Sequence, residues 1–582
     1  MRSQESIIAL KAIYDNHRCA LSRQGEELSS KDNATAEEVI FQWLLLVHDV
    51  YLLNPEKHKR VIGGFISELF RSDLLDTLNA FANCTSLVQR QVGGFKAQLR
   101  DVCPSLIAII REDVQKMCGG DVFAAQRLYQ IFSYTSRLTL VDIDLTAQQE
   151  ADYLQNEESL HDQWLPKSTI RSLNGIIRRW FPLSSVSEFD KNFGHGPGGV
   201  AGHGRTTLEV KYKDLSSDPL LEYAFDTFSI GKFRSTVDRI SHTIFVPKSY
   251  KAFRTISMEA TSLMYYQQGV WRWIDKVVNA SWYLRNRIGF HDQSRNQSLA
   301  KQGSLNRNYA TVDLSAASDL VSWQLVRKLF RGTPLLRYIY ATRSRKTLLP
   351  SGRVVELKKF APMGSALCFP IETIIFASIC EFVTQEHGVK GDYSVFGDDI
   401  IVPTQCTQDL IYVLESLSFR ANKDKSFFDP NCWFRESCGG DFVDGHNITP
   451  MRVSRKFNHQ KQAEKYQADV DLANEAFKRG FMTLRRYFIQ RANACGPQLF
   501  GYHGIQSNNA TNFHLQHRGN AYLQCGEVRC VQLRTTYTKR DEEIALLAWL
   551  DMAKLRESVS EPLTARTGRP TVKLKTAWIP LP

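Results

Sequence analysis

The rhythm of apolar positions divides this chain into stretches of different character. Up to about residue 190, apolar residues recur every three or four positions, the spacing of amphipathic helices. One such segment opens at Ala36-Glu37-Glu38-Val39-Ile40, and another runs from Val61 to Phe81. The most apolar early run, Phe41 to Leu53, is interrupted by His48 and Asp49. It is too short and too polar to span a bilayer, so the pattern predicts a buried helix. From 191 to about 308, glycine-rich loops, short β-like runs and basic residues alternate. From 306 to 450 the period switches between two and 3.6. Tyr309-Ala310-Thr311-Val312 reads as a strand that ends at Asp313. Phe369 to Phe382 reads as a helix, with Pro370 tolerable only in its first turn. Tyr393 to Phe396 and Ile400 to Val402 read as two strands joined by the polar tip Gly397-Asp398-Asp399, with Pro403 ending the second. Beyond 451 the helical rhythm returns. His459 to Ala494 predicts one or two helices stopped by Gly496-Pro497, and Asp541-Glu542-Glu543 opens another with acids suited to the helix dipole. Thr564 to Pro582 reads as an extended basic tail. There are no repeats or low-complexity tracts.

Length and charge narrow the possibilities. A chain of 582 residues predicts three to five structural units. Its 43% hydrophobic and 23% charged residues are ordinary for a globular protein and exclude wholesale disorder. The formal net charge of +12 favours polyanionic partners, since basic side chains displace counterions from phosphates. The 12 cysteines form no C-x-x-C pair. The closest, Cys432/Cys438 and Cys525/Cys530, have no histidines at zinc-ligand spacing, so reduced cysteines in a cytosolic protein are expected. No signal-peptide core follows Met1-Arg2-Ser3.

The chemistry points to carboxylates. Asp313 follows a buried-looking strand, and Asp398 and Asp399 sit at a hairpin tip between apolar strands. Adjacent acids in such a place repel each other unless a cation offsets them. Mg²⁺ takes hard oxygen ligands, and two such ions suit phosphoryl transfer, activating a hydroxyl and neutralising a pyrophosphate leaving group. The bland alternative for Gly397-Asp398-Asp399 is a solvated turn.

Beyond this point a family resemblance carries the reading further. Val312-Asp313-Leu314-Ser315-Ala316-Ala317-Ser318-Asp319 resembles polymerase motif A of the replicases of levivirus-type single-stranded RNA phages. Met363-Gly364-Ser365 with Glu372 and Ile375-Phe376-Ala377-Ser378 resembles their motif B, and Tyr393 to Pro403 their motif C. Lys425 in Asn422-Lys423-Asp424-Lys425 resembles the motif D lysine, with Lys423 the alternative, and Phe434-Arg435-Glu436-Ser437-Cys438-Gly439 resembles motif E. Upstream, Val246-Pro247-Lys248, Lys251 and Arg254 resemble motif F. The similarity runs from about 240 to 455. It implies an α+β right-hand fold with palm, fingers and thumb, and RNA-dependent RNA polymerase activity. It assigns Asp313, Asp398 and Asp399 to two Mg²⁺ ions, with Mn²⁺ an alternative. It assigns Lys425 as a general acid, and Lys248, Lys251 and Arg254 to the triphosphate. Gly364, Ser365, Ser318 and Asp319 are its nucleotide and ribose candidates. Where related replicases carry an asparagine after the motif B glycine, this chain has Ser365, and Pro370 replaces an acid. Asp292-Gln293-Ser294 and Asn296-Gln297 resemble a polar stretch just before motif A and are expected to make a template or fingers contact.

The expected division is a helical, partner-binding region over 1–190, fingers over 191–308 and a palm over 309–450. Part of the fingers is inserted near 335–365, and a helical thumb and tail follow over 451–582. The resemblance implies template RNA and NTPs as ligands. It also implies host translation elongation factors Tu and Ts and a small-subunit ribosomal protein as partners, in the cytoplasm of an infected bacterium. Two rivals share part of the pattern. A reverse transcriptase would use the same carboxylates, and dNTP against NTP incorporation separates the two. A non-catalytic RNA-binding protein gains nothing from three convergent acids. Gly199 to Thr206 has P-loop spacing with Arg205 in place of lysine, but no buried strand precedes it.

Overall fold

The computed structural model describes residues 2–23, 33–139, 144–160, 164–188, 192–203, 208–226, 232–389, 393–453, 462–496, 517–520, 522, 525–536 and 571–580. It is an α+β protein with a helical N-terminal region, as the hydrophobic rhythm predicts. Asn33–Tyr51 is a helix whose centre, Trp43 to Val47, is fully buried. The pattern over 61–81 is not one helix. Lys59–Arg71 ends and Leu74–Arg90 begins anew, because the Asp73 carboxylate accepts hydrogen bonds from the amides of Leu75 and Asp76. An N-cap of this kind starts a helix more strongly than continuous periodicity carries one across it.

The chain buries its apolar residues in two main clusters. One gathers residues from Leu160 to Phe419 around the helix Cys368–Glu386. Among the described residues this is the one helix long and apolar enough to cross a membrane, but nearly all of it is buried in the core. Its third residue, Pro370, sits in the first turn, where no amide is needed. The second cluster joins the N-terminal helices to Phe427, Phe434, Val443 and the helix Met482–Cys495. The N-terminal helices and this late helix therefore meet. Asp49 accepts hydrogen bonds from the amides of Thr483 and Leu484 at 2.9 Å each, capping that late helix from the N-terminal region.

A three-stranded antiparallel sheet lies at the centre, in the order Tyr309–Val312, Asp399–Pro403, Ser394–Phe396. A second sheet carries the hairpin Ile240–Ser249 and Ala252–Met258, extended by Lys346–Leu348 and Val354–Glu356. The late helical rhythm resolves into Gln462–Lys478 and Met482–Cys495, parted at Gly480, whose φ of +77° suits glycine. The C-terminal part is not wholly helical. Thr571–Pro580 pairs antiparallel with Cys525–Thr536, and Leu574 and Val531 cover Tyr466 and Ala492. The tail is extended, as its sequence suggests, but its pairing is not legible there because the partner strand Cys525–Thr536 lies far upstream. The expected helix at Asp541 and the residues Arg205 and Thr206 lie outside the described residues. Residues 192–199, before the P-loop-like spacing, contain no strand, and Lys211 Nζ donates to the carbonyls of Gly196 and Gly198.

Candidate active site

The central sheet sets the carboxylates. Ile400 pairs with Val312, so one step further along the antiparallel ladder Asp399 stands beside Asp313. Between the strands, Gly397 takes φ +63°, and a Cβ there would lie 2.6 Å from the Phe369 ring. Its amide donates to Thr373 Oγ1 at 3.1 Å, which fastens the tip to the core helix. Only glycine makes this turn so close to a helix, and Asp398 is exposed beyond it.

Asp313 is mostly buried, with 28% of its side chain reachable by solvent. Burial raises its carboxyl to about 6; Lys425 opposes the shift, while Asp398 and Asp399 add to it. Asn422 Nδ2 donates to Asp313 Oδ2 at 3.1 Å, and Lys425 Nζ lies 3.9 Å from the same oxygen. Asp399 is raised mainly by burial; its Oδ1 accepts from the Cys438 amide at 3.2 Å and from Ser437 Oγ at 3.4 Å. The structure thus gathers the three acids and directs Asp399 toward the neighbouring strand Phe434–Ser437. Of the two candidate lysines, Lys425 faces Asp313, whereas Lys423 lines a separate cleft with Arg90 and Phe428.

No three His, Cys, Asp or Glu side chains among the described residues are grouped so as to enclose a metal by themselves. That fits a site in which one or two carboxylates are completed by substrate phosphates and water, the usual arrangement for Mg²⁺. The donor set is hard oxygen throughout, and mutual repulsion of the acids leaves a demand for cationic charge.

The basic residues come partly together. Arg254 stands opposite Val246 in the hairpin, and Lys248 sits at the bulge between Pro247 and Ser249. Burial lowers the Lys248 ammonium, with Lys425 and Arg254 adding to the effect and Asp313 and Asp398 opposing it. Lys248 and Lys425 therefore stand near the acids, with Arg254 beside Lys248. Lys251, at the hairpin turn, instead lies over the Tyr250 ring at 5.4 Å and has none of the acids near it.

The sugar candidates sit on two loops. Gly364 has φ +116°, and a Cβ there would fall 2.3 Å from the Ser257 carbonyl, so this loop rests directly on the second sheet. The Ser257 amide also donates to the Met363 carbonyl at 2.7 Å. Ser365 is buried; its hydroxyl donates to Gln267 Oε1 at 3.1 Å and accepts from the Leu367 amide at 3.3 Å. Ser318 and Asp319 lie on the short helix Ala317–Leu320, entered through Ala316 at φ +52°. Asp319 Oδ1 accepts from Lys359 Nζ at 2.6 Å.

One expectation is overturned. Asn296 does not face template, being only 2% exposed. Its Nδ2 donates to the Asp399 carbonyl at 3.1 Å and to Ser437 Oγ at 3.2 Å, and its Oδ1 accepts from Ser394 Oγ at 2.6 Å. It bolts three strands together behind the acids. Sequence reasoning also missed Asn422, Lys359 and Gln267 as partners of the site. Asn422 lay inside the quoted lysine motif, whereas Lys359 and Gln267 carried no local signal.

Several known proteins resemble part of this chain. Residues 222–463 match the family model "RNA replicase, beta-chain". The RNA-directed RNA polymerase subunit beta of Qbeta virus (strain MX1) is 36% identical over 224 residues, covering 38% of this chain and 36% of the relative. The corresponding subunit of Enterobacteria phage SP is 39% identical over 213 residues, covering 36% and 35%. The beta chain of Escherichia phage MS2 is 33% identical over 210 residues, covering 36% and 37%. The chain thus spans little more than a third of the length of these relatives. Among solved structures, the RNA-dependent RNA polymerase of a human picorbirnavirus superposes with a TM-score of 0.43 at 10% identity, over 67% of this chain and 80% of that one.

Proposed function

We propose, on the premise that residues 222–463 are an RNA replicase beta-chain region, that this protein is an RNA-directed RNA polymerase that copies single-stranded phage RNA. The observation that carries the reading is the gathering of Asp313, Asp398 and Asp399 with Lys425, 3.9 Å from Asp313, and with Lys248, which has Arg254 beside it. Acids with cations near them suit a nucleoside triphosphate.

In this reading Asp313 and Asp398 hold divalent metal, Mg²⁺ or alternatively Mn²⁺, and Asp399 adds negative charge while anchoring the turn. Two such ions, when bound, supply charge for the attacking hydroxyl and the departing pyrophosphate. Lys248 and Arg254 take the triphosphate, arginine through its planar fork. Lys251, over the Tyr250 ring at the hairpin turn, is the third candidate of this set. Lys425, held near Asp313 but half in solvent, donates a proton to the leaving pyrophosphate. Ser318 and Asp319 sense the ribose 2′-hydroxyl; Gly364 lets backbone approach the nucleotide, and Ser365 holds that loop through Gln267. Host elongation factors Tu and Ts, a small-subunit ribosomal protein and a place in the host cytoplasm belong to the same proposal; purification from infected cells tests them.

The decisive experiment measures NTP incorporation on an RNA template by the chain with whatever co-purifies. Asp313→Asn and Asp398→Asn are each expected to lose several orders of magnitude in rate while RNA affinity stays near the parent's. Near-parental incorporation by either variant overturns the assignment. Preferential dNTP incorporation by the parent instead favours the reverse-transcriptase reading.

A further inference from the structure

The helix Thr146–Ser159 lies in the N-terminal region, outside the stretch shared with RNA replicases. It nevertheless reaches the sugar loop. Lys359 is fully buried, and its ammonium lies between two carboxylates, 2.6 Å from Asp319 Oδ1 and 3.2 Å from Glu157 Oε1. Beneath it the Tyr153 ring centroid is 3.7 Å away. Glu157 is itself buried, and its Oε2 accepts from the Lys358 amide at 2.6 Å and the Lys359 amide at 3.3 Å. The four groups form a closed ionic cluster in which each member fixes another.

The charge count gives the cluster a purpose. One buried cation faces a buried carboxylate, Glu157, and a partly exposed one, Asp319. Burial alone would lower the Lys359 ammonium, but Asp319, Tyr153 and Glu157 raise it well above its ordinary range, so it stays charged. A charged, immobile donor on Oδ1 fixes the plane of the Asp319 carboxylate. The Asp319 side chain is still 17% exposed, so solvent or a ligand reaches the carboxylate that Lys359 holds. A purely structural salt bridge needs one acid. The second acid, Glu157, holds the ammonium and the Lys358 and Lys359 amides from the helix side, and so fixes where the lysine stands against Asp319.

We propose that Lys359, Glu157 and Tyr153 are positioning residues for sugar recognition, orienting Asp319 toward the 2′-hydroxyl of an incoming ribonucleotide, and that the N-terminal helix is thereby part of the nucleotide-selection apparatus. This rests on the polymerase reading above. A site built to bond a hydroxyl rejects an analogue lacking it only while its own acceptor is held in place.

The test compares kcat and KM for NTPs and dNTPs on one RNA template in the full chain. Glu157→Gln keeps an oxygen for the two amides and so preserves the fold, but removes the shared charge. Its NTP/dNTP discrimination is expected to fall by about tenfold, mostly through a raised KM for NTPs, with dNTP kinetics little changed. Lys359→Met is expected to lose more discrimination, since it leaves two uncompensated acids. Asn156→Ala serves as control: it removes the 3.1 Å bond from Arg420 to the same helix without touching the cluster, and parental discrimination is expected. Unchanged discrimination in Glu157→Gln overturns the proposal, as does an equal loss in Asn156→Ala, which would make the effect one of helix anchoring. A parent that incorporates no NTPs at all refutes the polymerase reading instead.

Discussion

Replacing Asp313 by asparagine is expected to stabilise the metal-free protein while abolishing synthesis. Folding carries this carboxyl from an ordinary value of 3.8 to about 6, chiefly by burial. A shift of about two units, at ~1.4 kcal/mol each, amounts to about 3 kcal/mol of disfavoured ionisation. Solvent reaching 28% of the side chain screens part of that, leaving roughly 2 kcal/mol. The sign follows from the raised value. The folded state holds the proton more tightly than the unfolded one. The penalty is therefore absent below 3.8, grows as pH rises through the window to about 6, and is complete above it. Asparagine carries no charge to bury, and the amide of Asn422 still finds an oxygen to donate to. Urea unfolding of parent and variant, without metal, should show the variant ahead at pH 7.5 and level with the parent near pH 4. Added Mg²⁺ should stabilise the parent and leave the variant unmoved. A variant less stable than the parent at pH 7.5, or a difference that does not shrink on acidification, refutes the account of Asp313 as a buried acid awaiting a cation.

Two further outcomes follow from local geometry. Gly364→Ala should cost roughly 2 kcal/mol or more and lower synthesis, because its φ of +116° and the Ser257 carbonyl 2.3 Å from the new Cβ leave no room; thermal melting beside an incorporation assay checks this, and a silent variant would mean that the loop stands off the sheet. Asn296→Ala should leave the buried groups of Ser394, Ser437 and the Asp399 carbonyl short of partners, at about 2–3 kcal/mol. RNA affinity should be untouched, and a selective loss of RNA binding would restore Asn296 as a template contact.

The parts that were legible in the sequence are those whose signal is local. A β-branched run ending in Asp313, and a glycine-led acidic tip between two apolar strands, announce themselves within ten residues. So does the helix Cys368–Glu386, despite Pro370. The break at Asp73 was hidden because apolar spacing continues across it, and only the side-chain bonds to Leu75 and Asp76 reveal a cap. The pairing of the strand Thr571–Pro580 was hidden because its partner, Cys525–Thr536, lies far upstream. At the site, residue types were legible and orientations were not. Lys248, Lys251 and Arg254 are equally basic in sequence, yet in the hairpin Lys248 stands near Asp313 and Asp398 with Arg254 beside it, while Lys251 lies over Tyr250. Asn296 looked like a polar contact residue, whereas its burial makes it a bolt.

The same distinction bears on the N-terminal region, in which the sequence offers no catalytic motif. Its helices do not form a core of their own. Leu78 accepts a bond from Tyr250 at the foot of the basic hairpin, and the Gln130 amide meets the backbone of Met451 just beyond the hairpin that holds Asp399. Asp49 caps a late helix, and Glu157 reaches the sugar loop. Each contact is a hydrogen bond or ion pair made across the boundary, so separating the region would leave groups on both sides short of a partner. Large, mutually apolar surfaces could slide past one another; such bonds fix register. A region lacking chemistry of its own can in this way determine how precisely the chemistry elsewhere is aimed. That is why its role is invisible to motif reading and visible in the pairing of side chains more than a hundred positions apart.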